Sequence, residues 1–138
     1  MGILSTVGQA GEPWGAAVYF VADENFRFYF VTRTGTRKYH DIEESGQAAL
    51  TIADADTQTT VQVHGAITKV PLEDYTNIVF DKLAGIKPKE DHAWAPPISK
   101  VHEGNYMALC LTPDLLQYAD YKQQQKDYDA DYIEKIIG

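Results

Sequence analysis

The pattern of hydrophobic and polar positions along this chain reads mainly as strands, interrupted by two helical stretches. Residues 3–7 are a short run of β-prone side chains, and the glycine- and proline-containing residues 8–13 after them read as a turn. Residues 14–22 start small and apolar and become β-branched and aromatic, which predicts a second strand. Asp23, Glu24 and Asn25 form a tight hairpin connection to a third strand, residues 26–32. That strand is almost continuously apolar, so both of its faces are expected to be covered. Thr36 is placed to cap a helix over 39–45, with Tyr39 and Ile42 on its inward stripe and Gly46 at its end. Residues 48–53 read as a buried strand and 54–57 as a loop. In residues 59–70, Val61, Val63 and Gly65 alternate with Thr60, Gln62 and His64, the signature of a long strand.

Pro71 suits a first helical position, Leu72, Tyr75, Val79 and Leu83 share one face, and Gly85 stops that helix. Residues 86–105 carry Pro88, Pro96 and Pro97 and show no period. Residues 106–111 predict a sixth strand stopped by Pro113, and 115–121 a further edge strand. A polar tail from Lys122 ends in a helical turn over 132–137. The order β-β-β-α-β-β-α-β lacks the crossover helices of a doubly wound sheet. It implies a mostly β, antiparallel barrel or sandwich with helices at its ends. One domain is expected over 1–138, with the barrel and its two helices in 1–121 and a C-terminal tail in 122–138.

Composition narrows the function classes. A net charge of −8 disfavours a generic nucleic-acid binder. A lone cysteine, Cys110, forms no intrachain disulfide, and residues 1–11 lack the pattern of a signal peptide, so the expected compartment is the cytoplasm. No apolar stretch approaches the ~20 residues of a transmembrane helix.

Against the acidic background, the adjacent cations Arg37 and Lys38 stand out. They follow Thr32, Thr34, Gly35 and Thr36, where a strand ending at Val31 hands over to a helix. Helix N-termini present free N–H groups and partial positive charge, and Arg offers a planar fork for phosphate oxygens. The segment reads as a phosphate grip.

An ordered series of short matches accompanies it: Leu4-Ser5-Thr6-Val7, Gly11-Glu12-Pro13, Val18-Tyr19-Phe20, Tyr29-Phe30-Val31-Thr32, Thr36-Arg37-Lys38 and Val61-Gln62-Val63-His64-Gly65. In order and spacing this series resembles the pyridoxamine 5′-phosphate oxidase-like flavoproteins over the first half of the chain. The resemblance implies a six- or seven-stranded FMN-binding split β-barrel. It also implies a homodimer with the cofactor at the subunit interface. Thr36-Arg37-Lys38 stands where the family has its phosphate-holding Ser-Arg-Lys, and Thr32 stands for the threonine at the preceding strand end. The strand beside the flavin ring corresponds to 17–20, including Val18, Tyr19 and Phe20. The family's glutamine on the long strand falls on Thr60, a departure; Gln62 has the same facing and would substitute with a register change. The Arg-Leu-His-Asp-Arg motif of the authentic oxidase is missing, which points to a relative with another substrate.

Other side chains carry duller readings. None of the four histidines has zinc-site spacing, and His64 reads as a surface residue on the long strand. His92 and Trp94 suggest either a lid or packing against the barrel. Cys110 reads as a buried small hydrophobe. No nucleophile–base set is legible, which suits a flavin enzyme because the cofactor carries the redox chemistry. The expectation is therefore an FMN-dependent oxidoreductase acting on a small molecule or accepting electrons from a nicotinamide donor. A non-catalytic flavin or haem module and a deazaflavin (F420) reductase on the same fold are the alternatives.

Overall fold

The computed structural model describes residues 1–83, 105–127, 129 and 131–138. The expectations placed on Gly85, on residues 86–104 and on His92 and Trp94 lie outside these residues. The described elements are β1 (Gly2–Val7), β2 (Pro13–Val18), β3 (Phe20–Ala22), β4 (Phe28–Arg33), α1 (Arg37–Ser45), β5 (Gln47–Asp54), β6 (Thr59–Val70) and α2 (Leu72–Leu83). β7 (Tyr106–Asp120), α3 (Tyr121–Lys126) and β8 (Ile133–Ile137) follow. The strands form one antiparallel sheet in the order β2-β1-β5-β6-β7-β4-β3, with β8 paired to β7. The two end strands of that path, β2 and β3, are separated in sequence only by Tyr19. A sheet whose ends are covalent neighbours must curl back on itself, and this one is a split barrel.

The barrel interior is filled by alternate residues from each strand. Leu4, Phe30, Leu50, Leu109 and Leu111 are fully buried there, with Val18, Ile42, Val63 and Leu116 around them. Each such side chain contributes roughly 1.5–3 kcal/mol of hydrophobic stabilisation. The opposite face of β4 and β7 is covered by α2, where Tyr29, Tyr75, Val79, Ala108 and Cys110 pack together. This second cluster explains why β4 is apolar at both parities. Burial pushes the hydroxyls of Tyr29 and Tyr75 up to about 12 and raises the Cys110 thiol, which is therefore protonated and inert.

Five expectations are corrected. Residues 14–22 are two strands, because β2 pairs with β1 whereas β3 pairs with β4. The third strand starts at Phe28; Phe26 sits in the turn with φ 60°. Pro113 does not stop β7. It lies opposite Gly65 where the β6–β7 register shifts, a bulge that tolerates a residue without an N–H. Residues 115–120 are accordingly part of β7 and flanked by β6 and β8, not an edge, and Tyr121 opens α3. The expected helical turn at 132–137 is strand β8. Ile133, Ile136 and Ile137 have helical spacing, but their backbone is recruited by β7.

Candidate functional site

The site is built where β4 hands over to α1. Thr32 is the last buried residue of β4, at 2% exposure. Its hydroxyl lies 3.3 Å from that of Thr36. Thr36 occupies the N-cap position of α1 with extended φ/ψ, as its sequence position predicts, but its hydroxyl does not cap the helix. It donates instead to the Arg33 carbonyl at 2.8 Å. Among the described residues, the first turn of α1 thus has no side-chain cap and no acidic residue, which leaves its amide N–H groups and partial positive charge to an anion. The Thr34 N–H donates to the Asn105 carbonyl at 3.0 Å, tying the turn to the start of β7.

Arg37 and Lys38 occupy that first turn and differ sharply. The Arg37 guanidinium lies 4.7 Å above the Trp14 ring and 3.3 Å from the Glu12 carboxylate. Lys38 is half-buried, and no salt bridge among the described residues involves it. Burial pulls its ammonium below the usual lysine value. A half-buried cation beside the positive end of a helix is a poor arrangement unless an anion completes it.

The helix is anchored from below. The Thr6 hydroxyl donates to the Asp41 carboxylate at 2.8 Å, and both residues are buried. Gly46 ends α1 in the left-handed region at φ 69°. Its N–H donates to the Ile42 carbonyl at 2.8 Å, which fixes the other end.

The remaining predicted residues fall elsewhere. Val18 is buried in the barrel interior, and Phe20 packs edge-on against Phe28 at 5.6 Å. Val31 faces the cluster under α2. Tyr19 is exposed at the junction of β2 and β3. Thr60 and Gln62 point outward from β6, as alternation requires. Gln62 accepts a hydrogen bond from the Gln117 amide, whereas the buried Thr60 hydroxyl has no partner among the described residues. Thr60 pairs with Ala119 of β7, whereas Thr32 lies beside Met107, twelve residues (119 − 107) back along that strand, so roughly 35–40 Å of strand separates them. Within one chain, it does not join the Thr32–Lys38 turn. Glu12, Trp14, Thr6 and Asp41 were not legible from sequence. The only available signal was opposite charge at 12 and 37, which carries no information about proximity.

His64 also faces outward, and its Nδ1 lies 2.7 Å from Asp114, the unpaired residue of the β7 bulge. Among the described residues no group of three or more His, Cys, Asp or Glu side chains could hold a metal ion, and no helix is long and apolar enough to cross a membrane.

The sequence model of a family described as pyridoxamine 5′-phosphate oxidase matches residues 1–119. The chain belongs to that family. The pyridoxine/pyridoxamine 5′-phosphate oxidase of Dichelobacter nodosus (strain VCS1703A) is 27% identical over 101 residues, 73% of this chain and 46% of that protein. The chain thus spans about half the length of this relative. Among solved structures, a pyridoxamine 5′-phosphate oxidase-related, FMN-binding protein from Nostoc punctiforme PCC 73102 superposes with a TM-score of 0.62 at 14% identity. That match covers 97% of this chain and 77% of the other. A protein titled F420 reductase superposes at 0.59 with 23% identity, covering 83% and 86%. These likenesses show a shared split-barrel fold.

Proposed function

We propose that this chain binds FMN as a homodimer and serves as a flavin-dependent oxidoreductase with a substrate other than that of the authentic oxidase. The observation that carries the reading is the first turn of α1. It is an uncapped helix start bearing Arg37 and a half-buried Lys38 that no salt bridge among the described residues neutralises. A phosphate dianion satisfies the cations and the free N–H groups together, and the hydroxyls of Thr32, Thr34 and Thr36, which bond within the turn in this structure, would rotate to donate at its edge. The Thr60 hydroxyl, unpartnered among the described residues, is a second group suited to a polar ring edge.

The outward face of the sheet supports the dimer. Ile3, Ser5 and Val7 of β1 lie beside Gly15 and Ala17 of β2 and Thr51 of β5, a face without a formal charge in a chain of net charge −8. Ile3 and Val7 are about half exposed on it, at 45% and 53%. Pairing two such faces would bring Thr60 and Gln62 of one copy toward the ligand held by the other, which the distance within one chain does not allow. FMN, when bound, supplies hydride or electron transfer. The chain's own part is to neutralise the phosphate with Arg37 and Lys38, to present the backbone of 17–20 to the ring, and to exclude water between the two faces. Thr60 in place of the family's glutamine favours a second reading, a flavin-holding module without turnover.

Protein purified with flavin absorbs near ~450 nm. Colourless protein that takes up no added FMN overturns the reading. Parallel titration with F420 separates the two cofactors, sedimentation reports the dimer, and NADH or NADPH oxidation separates the enzyme from the module.

A further inference from the structure

The phosphate-gripping arginine is already engaged by a carboxylate of its own chain. Glu12 lies at the end of the β1–β2 connection, 25 positions from Arg37, and its Oε1 reaches the Arg37 guanidinium at 3.3 Å. The loop is shaped to hold it there. The Gly8 N–H donates to the Glu12 carbonyl and the Gly11 N–H to the Gly8 carbonyl, both at 2.9 Å. The Glu12 side chain folds over Gly8 and occupies the space in which a Cβ at position 8 would stand. Trp14, two residues on and opposite Thr6 in the ladder, provides the shelf on which the guanidinium lies. Stacking fixes the plane of Arg37, and Glu12 takes one edge of its fork.

We infer that Glu12 is an affinity-setting residue that competes with the ligand's phosphate for Arg37. This rests on the phosphate reading of the α1 turn and adds a regulatory element to it. A phosphate that takes the same edge displaces the carboxylate, so binding there exchanges one anion for another on the same guanidinium. Both partners of the ion pair are nearly half exposed, at 46% and 43% for the side chains. The exchange therefore lowers affinity only modestly, by about two- to fivefold. The effect is confined to ligands that carry the phosphate.

The test compares FMN and riboflavin, which lacks the phosphate, by fluorescence titration of the intact protein and two variants. Glu12→Gln removes the competing charge. Gly8→Ala leaves the charge but fills the space over which the side chain folds. Both variants are expected to bind FMN about two- to fivefold tighter than the parent, with riboflavin affinity unchanged. Either variant binding FMN no tighter than a parent that does bind it overturns the competition and leaves the flavin reading standing. Equal tightening of riboflavin also overturns it, because the effect would not act through phosphate. A parent that binds neither FMN nor inorganic phosphate removes the flavin reading and this inference with it.

Discussion

Two regions of this barrel treat their backbone in opposite ways. At the β6–β7 bulge, Gly65 is buried and the Thr112 carbonyl stands where a side chain would begin, so backbone lies directly against backbone. At the β4–α1 turn, Thr36 leaves the amide groups of α1 uncapped and the two cations carry the surface. The first region has no slack and holds the barrel's register. The second has unfilled hydrogen-bonding capacity and would hold a ligand. Damage to the one should appear as lost stability, and damage to the other as lost binding.

The largest expected effect is at the bulge. Gly65→Ala places a methyl group against the backbone of Thr112 and Pro113, which cannot rotate away. A loss of about 4 kcal/mol in unfolding free energy, read from the denaturant midpoint, is expected. A variant within ~1 kcal/mol of the parent would show that the bulge has the slack denied to it here. Next comes the turn. Arg37→Ala combined with Lys38→Ala should weaken FMN by about 100-fold while leaving the midpoint within ~0.5 kcal/mol. A comparable loss of stability and binding would erase the distinction between the two regions.

Thr6→Val tests how firmly the barrel holds the second region, since it leaves the buried Asp41 carboxylate without its donor under α1. A stability loss of about 2 kcal/mol is expected, with weaker FMN binding as α1 loosens. The smallest effect is set by pH. Burial pushes the Asp23 carboxyl up, but hydrogen bonds from the Arg27 N–H, the Tyr29 hydroxyl, the Asn25 N–H and the Arg27 guanidinium outweigh it and hold the group below its ordinary 3.8. Its contribution is fully present above that value and is lost as pH falls through the lower folded value. Acid titration of thermal stability should show this loss in the parent and not in Asp23→Asn.

Legibility from sequence followed the range of the interactions. β1, β4, β5, β6 and both long helices were readable because alternation, helical spacing, Gly46 and Pro71 are local signals. The Thr32–Lys38 turn was readable for the same reason. By sequence β7 reads as two pieces, because proline normally excludes a central strand, and the bulge that admits Pro113 depends on Gly65, far away in sequence. The 14–22 run reads as one strand because nothing local marks Tyr19 as the point where pairing partners change. Thr6–Asp41, Glu12–Arg37 and His64–Asp114 join positions 35, 25 and 50 residues apart, and no spacing rule anticipates such pairs.

The single-residue link at Tyr19 bears on colloidal behaviour. A sheet with loose ends offers strand edges that can template pairing with other molecules. Here the two end strands of the path are joined through one residue, and they are short, six residues in β2 and three in β3. The edges among the described residues are those of these two strands and of the five-residue β8, all short, so none offers a growing aggregate a long template to extend.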